Sequence, residues 1–336
     1  MKHYITKSLG LCVILFCLVF TFFVSSHALA ANKVMIVVSV SLVEAEKIST
    51  HTIIMDTIKG LIDQEHAELK FHYVNFKNED NDAAKTAKGL EAVKAVREYQ
   101  PNVVITEFDD ALKYVGLKID DIPVVFTWIF GEPESFGLPK TNVTGIIRRS
   151  YAPDSWALTK QLLGIKTVGL LCKNGASMKN RREAMLKSSL VLEKASGVKF
   201  TDMYLVDTMG QWKYQIANWK EDLIHLGDIS RITDGNRTVM PAELMKWTIE
   251  NAKVPVIAAL ENDVKDGALL SIVTSEQEAG YLTGMTALKI LKGTKVSSIP
   301  FQTINKGKLV INIKTAQKIG IEIPYEILNS ADKIYQ

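Results

Sequence analysis

The strongest constraint on this chain is a series of short, strand-length runs that are rich in Val, Ile and other apolar residues. In the first half these runs cover residues 34–40, 69–76, 102–106, 122–128 and 142–147, with helical patterns at 43–62, 82–99 and 109–115 between them. Continuous apolar runs are typical of parallel strands that are covered on both faces, whereas half-exposed strands alternate. The first half therefore predicts an α/β layer structure with helices on both sides of a parallel sheet.

The second half repeats this order at nearly the same spacing. Its predicted strands cover residues 167–172, 198–206, 227–233, 254–257 and 267–273, at offsets of about 125 to 133 residues from the first five. This predicts two doubly wound parallel-sheet lobes that face a cleft; two unrelated α/β domains remain the alternative. Crossings between lobes are expected near 147–153, near Val273 and within 294–302. One lobe would then hold 31–147 plus 273–300, and the other 148–272 plus 301–336.

The stretch 267–324 makes the last two crossings. Ser275 and Glu278 have the spacing of a helix capping box, and Leu282, Met285, Leu288 and Leu291 give the following helix an apolar face. Gly280 and Gly284 lie one turn apart, which would let this helix lie close against a sheet. A further strand at 309–313 follows, so the chain returns to the second lobe after a complete domain has passed.

The first thirty residues have the features of a secretory signal peptide. Lys2 and Lys7 precede the apolar run Leu9–Val24, and Ala28-Leu29-Ala30 supplies the small residues of a cleavage site. A membrane anchor is the alternative, but the apolar run is short for a span. Cys12 and Cys17 lack the preceding small residue of a lipid-attachment site. We therefore expect residues 1–30 to be cleaved, and the protein to be released into the periplasm without a lipid anchor.

Composition excludes several kinds of partner. Removing residues 1–30 takes away two Lys, which leaves 38 basic and 37 acidic residues and a net charge of +1. A nearly neutral protein is a poor ligand for nucleic acid or an anionic membrane, so neither is expected as a partner. Cys172 is then the last cysteine, so no internal disulfide can form. We expect it to be a buried core residue and the protein to be a monomer.

Enzyme motifs are absent from the sequence. It contains no G-x-S-x-G elbow, Walker loop or G-x-G-x-x-G fingerprint, and its four His after residue 30 have no metal-site spacing. The expectation is a binding protein with no cofactor, no metal and no catalytic residue.

Candidate ligand contacts follow from the predicted strand ends, because ligands of open α/β sheets bind beyond the carboxyl ends of the strands. In the sequence these positions are Ser39, Ser41, Thr106, Glu107, Thr127 and Trp128 in the first lobe, and Asn174, Asp207, Asp234, Asn236 and Glu261 in the second. Each has an alternative: the hydroxyls can cap helices, Asn174-Gly175 can be a turn, the carboxylates can be solvated or paired, and Trp128 can pack in the core or between the closed lobes. The excess of carboxylates favours a ligand with an amino group.

Four segments carry a resemblance to a known family. TNVTGI (141–146), QLLGIKTVGLL (161–171), GALLSIVTSEQEAGYLTGMTALKILKG (267–293) and LVINIKTAQKIGIEIP (309–324) are similar to the ABC-transporter substrate-binding proteins of the tryptophan and tyrosine type. The resemblance implies a type I periplasmic-binding-protein fold with three interlobe crossings. It also implies a receptor that captures a small molecule, with an amino acid or amine-bearing compound as the best guess, and delivers it to an ABC permease. A periplasmic sensor that signals to a membrane receptor kinase is the alternative.

The first lobe departs from the family pattern. Thr106-Glu107-Phe108 stands where relatives carry a Gly-Thr-Pro-like turn, and Ser39-Val40-Ser41 stands where many have a His-Pro segment. The resemblance therefore implies a fold and a role rather than a particular ligand.

Overall fold

The computed structural model describes residues 31–79 and 81–336, so the predicted signal peptide lies outside the described residues. The strands are β1 (Lys33–Val38), β2 (Glu68–Tyr73), β3 (Val103–Glu107), β4 (Val124–Thr127), β5 (Val143–Ile147), β6 (Thr167–Lys173), β7 (Lys199–Val206), β8 (Leu223–Leu226), β9 (Thr233–Asp234), β10 (Arg237–Thr238), β11 (Val256–Ala258), β12 (Leu270–Thr274), β13 (Gln302–Thr303), β14 (Gly307–Asn312) and β15 (Lys333–Tyr335). The helices are α1 (Leu42–Ala45), α2 (Ser49–Gln64), α3 (Asp82–Tyr99), α4 (Phe108–Tyr114), α5 (Ala152–Leu163), α6 (Ala176–Lys187), α7 (Ser189–Ser196), α8 (Met209–Ala217), α9 (Pro241–Asn251), α10 (Glu261–Lys265), α11 (Glu276–Leu291), α12 (Ile313–Lys318) and α13 (Tyr325–Ser330). No helix among these is long and apolar enough to cross a membrane.

The first lobe is built on a parallel sheet with the strand order β13-β5-β4-β3-β1-β2. Alternate residues of β1 point into two separate cores: Val34 and Ile36 pack with α2 and α11, whereas Met35 and Val37 pack with α3 and α4. Both faces of the strand are therefore buried, which is why its sequence is apolar throughout. The predicted doubly wound sheet is confirmed.

The two glycines of α11 pack against a helix and not, as predicted, against a sheet. A Cβ at Gly280 would lie 2.7 Å from the carbonyl oxygen of Ile54, and one at Gly284 would lie 2.7 Å from Leu61 Cδ1. Ile54 and Leu61 belong to α2, so the small residues bring the two helices of one layer close together.

The second lobe is built on the parallel sheet β11-β8-β6-β7, with β12, β14 and β15 as a separate three-stranded sheet. Here β12 and β14 run antiparallel. The strand predicted at 227–233 is wrong. The sheet uses Leu223–Leu226 instead. All four of these residues are buried, and they pair with β6 on one side and β11 on the other. Cys172 is buried, as expected.

Three segments cross between the lobes, at 147–152, 274–276 and 304–307. The segment 294–302, where the third crossing was predicted, packs on the first lobe. The Thr144 hydroxyl donates to the Ile299 carbonyl at 2.9 Å, and β13 pairs with β5. The predicted boundary at 301 lies directly before β13, which pairs with the first sheet. The Tyr151 hydroxyl donates to the Ile304 carbonyl at 3.2 Å and joins the first and third crossings.

Candidate functional site

The carboxyl edge of the first sheet has an unusual backbone. Asn75, Phe108 and Trp128 follow β2, β3 and β4, and their φ angles are 60°, 68° and 54°. Residues with a side chain rarely adopt this left-handed region, and two of these three are bulky aromatics. Such conformations cost about 1–3 kcal/mol each and concentrate at ligand-binding and catalytic positions. The left-handed backbone at these three positions therefore makes this edge a candidate ligand-binding site.

Two of the predicted contacts at this edge have structural roles. Ser39 Oγ donates to the Glu107 carbonyl at 3.0 Å and accepts from the Ala111 amide at 2.8 Å, which ties β1 to β3 and α4. Ser41 is the N-cap of α1, where its hydroxyl accepts from the Glu44 amide. Ser41 therefore acts as the capping alternative supposes, whereas Ser39 links two strands and a helix.

Three more predicted contacts are fully buried within the first lobe. Glu107 Oε2 lies 2.6 Å from His51 Nδ1 of α2, and burial raises the pKa of this carboxyl above its ordinary value. Thr127 Oγ1 accepts a hydrogen bond from Thr283 of α11 at 2.9 Å. Thr106 packs beside Gly116. Glu107 Oε1 and Thr106 Oγ1 have no hydrogen-bond partner among the described residues. These three side chains are packed inside the lobe beneath the edge and are not exposed at its opening.

The accessible part of this edge is an arginine between two aromatic rings. The guanidinium of Arg148, which follows β5, lies 4.6 Å from the ring centroid of Trp128 and 4.4 Å from that of Phe130. Trp128 is 6% exposed, whereas Phe130 is 67% exposed. Burial and the positive charge of Arg181 lower the pKa of Arg148 to about 10. Arg148 therefore remains charged at neutral pH in a partly desolvated position.

Asp109 fixes the loop that carries Phe130. Its carboxylate accepts hydrogen bonds from the Phe130 amide at 3.1 Å and from the Gly131 amide at 2.8 Å. Because both amides belong to the loop after β4, the aromatic platform is held rigidly against α4.

The carboxyl edge of the second sheet carries a polar pocket of about 310 Å³. Lys173, Asn174, Asp207 and Arg231 are among its lining residues. Asn174 Nδ2 donates to Asp207 Oδ2 at 3.1 Å, and Asn174 Oδ1 is buried without a partner among the described residues. The ends of β6 and β7 thus bring two predicted contacts together, as the strand-end rule anticipated.

The three remaining predicted residues lie elsewhere. Asp234 and Asn236 are exposed in the β9–β10 hairpin, because the strand expected before them ends at Leu226. Glu261 is at the start of α10, where its carboxylate lies 2.6 Å from Lys308 Nζ and accepts from the Tyr335 hydroxyl at 2.8 Å. Although burial acts in the opposite direction, these two partners hold the pKa of Glu261 below its ordinary value.

The same lysine joins the two lobes near the crossings. Lys308 Nζ of β14 also lies 3.1 Å from Glu276 in the first turn of α11. The two carboxylates therefore share one cation where the second and third crossings meet, and Glu261 is committed to this network.

The accessible residues Arg148, Phe130, Asp109 and Lys173 were not predicted from the sequence. The predicted candidates lay at or shortly after the predicted strand ends, and none came from the fifth strand of either lobe. Parallel strands are buried on both faces up to their ends, so the side chains that reach the opening come one or two residues later. Arg148, directly after β5, could have been found by extending the rule to that strand.

Comparison with known proteins assigns this architecture. The family model for ABC transporter substrate binding proteins matches residues 35–335. The chain belongs to this family. The match runs from Met35 in β1 to Tyr335 in β15 and so covers both lobes and all three crossings.

Individual relatives support the assignment. A tyrosine-binding protein of Clostridioides difficile is 23% identical over 273 residues, which cover 79% of this chain and 75% of the relative. The ABC domain of a Streptococcus pneumoniae protein, solved in complex with L-Trp, has 23% identity and a TM-score of 0.64 over 91% of this chain and 100% of its own. A ligand-free, open substrate-binding protein from Clostridium difficile has 18% identity and a TM-score of 0.69 over the same shares. These structures establish the type I periplasmic-binding-protein fold.

Proposed function

We propose that this protein is a periplasmic receptor that captures a small molecule between its two lobes and delivers it to an ABC permease. The ligand we favour is an amino acid or a related amine-bearing compound. The names of the relatives, one tyrosine-binding and one solved with L-Trp, support this class. The observation that carries the proposal is the strained carboxyl edge of the first sheet, where Phe130 is exposed beside the charged Arg148. Ligand bridging this edge to the second lobe would stabilise the closed form.

The first experiment is a thermal-shift screen of the protein beginning at residue 31 against amino acids, amines, nucleosides and sugars. The strongest hit is then titrated by calorimetry, where we expect a Kd of roughly 0.1–10 μM. Mass spectrometry of the recovered ligand should find it unchanged. Turnover of the ligand would contradict a binding role, and protection by sugars or nucleosides alone would contradict the amino-acid class.

Delivery is tested in cells. Deleting the gene should abolish high-affinity uptake of the identified ligand, because a permease of this class takes its substrate from the receptor. Normal uptake together with loss of a ligand-dependent transcriptional response would favour the sensing alternative.

Trp128 provides a direct test of the site. Replacing Trp128 with Ala removes one of the two rings that hold Arg148, and we expect it to weaken binding of the strongest hit about tenfold, or roughly 1.4 kcal/mol. The Trp128→Phe protein is the matched control, because it keeps an aromatic face and should lose less. Equal affinity of the Ala variant and the parent protein would assign Trp128 to packing alone.

A further inference from the structure

Arg148 is an arginine held in place without a counterion. Arg149, Arg182 and Arg237 each form a close pair with a carboxylate, at 2.6–2.7 Å. Within the described residues, Arg148 forms no ion pair, and its Nε is buried without a hydrogen-bond partner. The two aromatic rings position the guanidinium but cannot accept all of its N–H bonds. A partly desolvated cation with unused donors is costly unless an anion completes the site.

A second positive charge reaches this position from the opposite lobe. Arg181 lies on α6, directly after the first strand of the second sheet, and its field helps to lower the pKa of Arg148. Arg181 also makes no ion pair within the part of the chain that the structure describes. Arg148 in the first lobe and Arg181 in the second are thus two guanidinium groups without a carboxylate partner among the described residues.

The surrounding charges favour a monoanion. Asp109 and Glu276 are close enough to act on Arg148 electrostatically, but each is engaged elsewhere, Asp109 with two loop amides and Glu276 with Lys308. They offset part of the positive field without occupying the donors of Arg148. A single carboxylate would satisfy those donors, and its bidentate geometry matches a guanidinium. A phosphate dianion would face the two fixed carboxylates.

We propose that Arg148 binds a carboxylate of the captured molecule, and that Arg181 of the second lobe adds to the positive field that attracts it. This proposal rests on the proposed function, because it names the chemical group of the ligand that the protein recognises when its lobes close. A ligand carrying this group would gain contacts in the closed form that the open form lacks, and that difference is what shifts the equilibrium.

The test compares matched probes on the parent protein and three variants. L-tryptophan and L-tyrosine are titrated against tryptamine and tyramine, which lack only the carboxylate, and inorganic phosphate is a separate arm. The variants are Arg148→Gln and Arg181→Gln, with Arg149→Gln as the control, because Arg149 is the neighbouring arginine and already pairs with Asp154. Thermal unfolding of each variant without ligand confirms that it is folded.

We expect the amino acids to bind the parent protein at least about tenfold more tightly than their decarboxylated amines. Arg148→Gln should remove most of that difference and Arg181→Gln part of it, while Arg149→Gln leaves it unchanged. If the amino acids and their amines bind equally, or if Arg148→Gln leaves the preference intact, the anion site is refuted while the receptor function stands. Binding of none of the organic probes would refute the amino-acid ligand itself, and protection by phosphate alone would refute the carboxylate assignment.

Discussion

Asp263 offers a test of how the second lobe is stabilised. Its side chain lies on α10, is 4% exposed, and has one carboxylate oxygen, Oδ2, without a hydrogen-bond partner among the described residues. Burial, followed by the charges of Asp266 and Asp228, raises the pKa of Asp263 from an ordinary 3.8 to about 7. We expect the nearly isosteric Asp263→Asn substitution to stabilise the protein at neutral and alkaline pH.

The magnitude follows from the shift in pKa. A carboxyl group whose pKa is higher in the folded than in the unfolded state binds more protons when folded, so stability falls as pH rises between the two values. A shift of about 3 units corresponds to a loss of up to about 4 kcal/mol, complete above pH 7. The amide remains a buried polar group that costs about 1–3 kcal/mol. We therefore expect the variant to be about 2 kcal/mol more stable than the parent at pH 8 and about 2 kcal/mol less stable below pH 4, where the carboxyl is protonated in both the folded and the unfolded state.

The assay is urea unfolding of the Asp263→Asn and parent proteins at pH 4, 6 and 8, with the free energies compared at each pH. The Asp266→Asn variant removes a neighbouring charge and should make the pH dependence of the parent shallower. Asp56→Asn, at an exposed position of α2, is the control and should follow the parent profile. A difference between Asp263→Asn and parent that does not grow with pH would refute a neutral buried carboxyl.

Two further predictions concern the first lobe and are measured by chemical unfolding. His51→Ala leaves the buried Glu107 carboxyl unpaired and should cost about 3 kcal/mol, and clearly less in a Glu107→Gln background; equal costs in both backgrounds would show that the pair adds nothing. Gly145→Ala places a Cβ within 2.4–2.5 Å of the Phe126 ring and should cost about 1–3 kcal/mol. Gly210→Ala on α8, whose nearest such neighbour is 3.8 Å away, should be neutral or slightly stabilising, and an equal loss at both glycines would contradict the packing argument.

The order and type of the main elements could be read from the sequence because they depend on local patterns. The α3 helix was predicted at 82–99, as the structure has it, and five of the six strands of the first sheet were predicted within two residues at their starts. Burial on both faces leaves a continuous apolar run, and a capping residue marks a helix start without reference to the rest of the chain. The repeat of this order at a constant spacing was enough to predict two lobes.

The pairing of distant segments was decided by the tertiary structure. β13 contributes only Gln302 and Thr303, so no pattern in those residues could show that they extend the first sheet before the chain crosses. The partners of the charged side chains at the site were also decided by the tertiary structure. In the sequence, Glu107 and Glu261 are two carboxylates and Arg148 is one cation of many. Folding pairs Glu107 with His51, which is 56 residues away, and Glu261 with Lys308, which is 47 residues away. It places Arg148 against the ring of Trp128, which is 20 residues away, with no ion pair to any described residue. Local sequence patterns cannot show contacts at such separations.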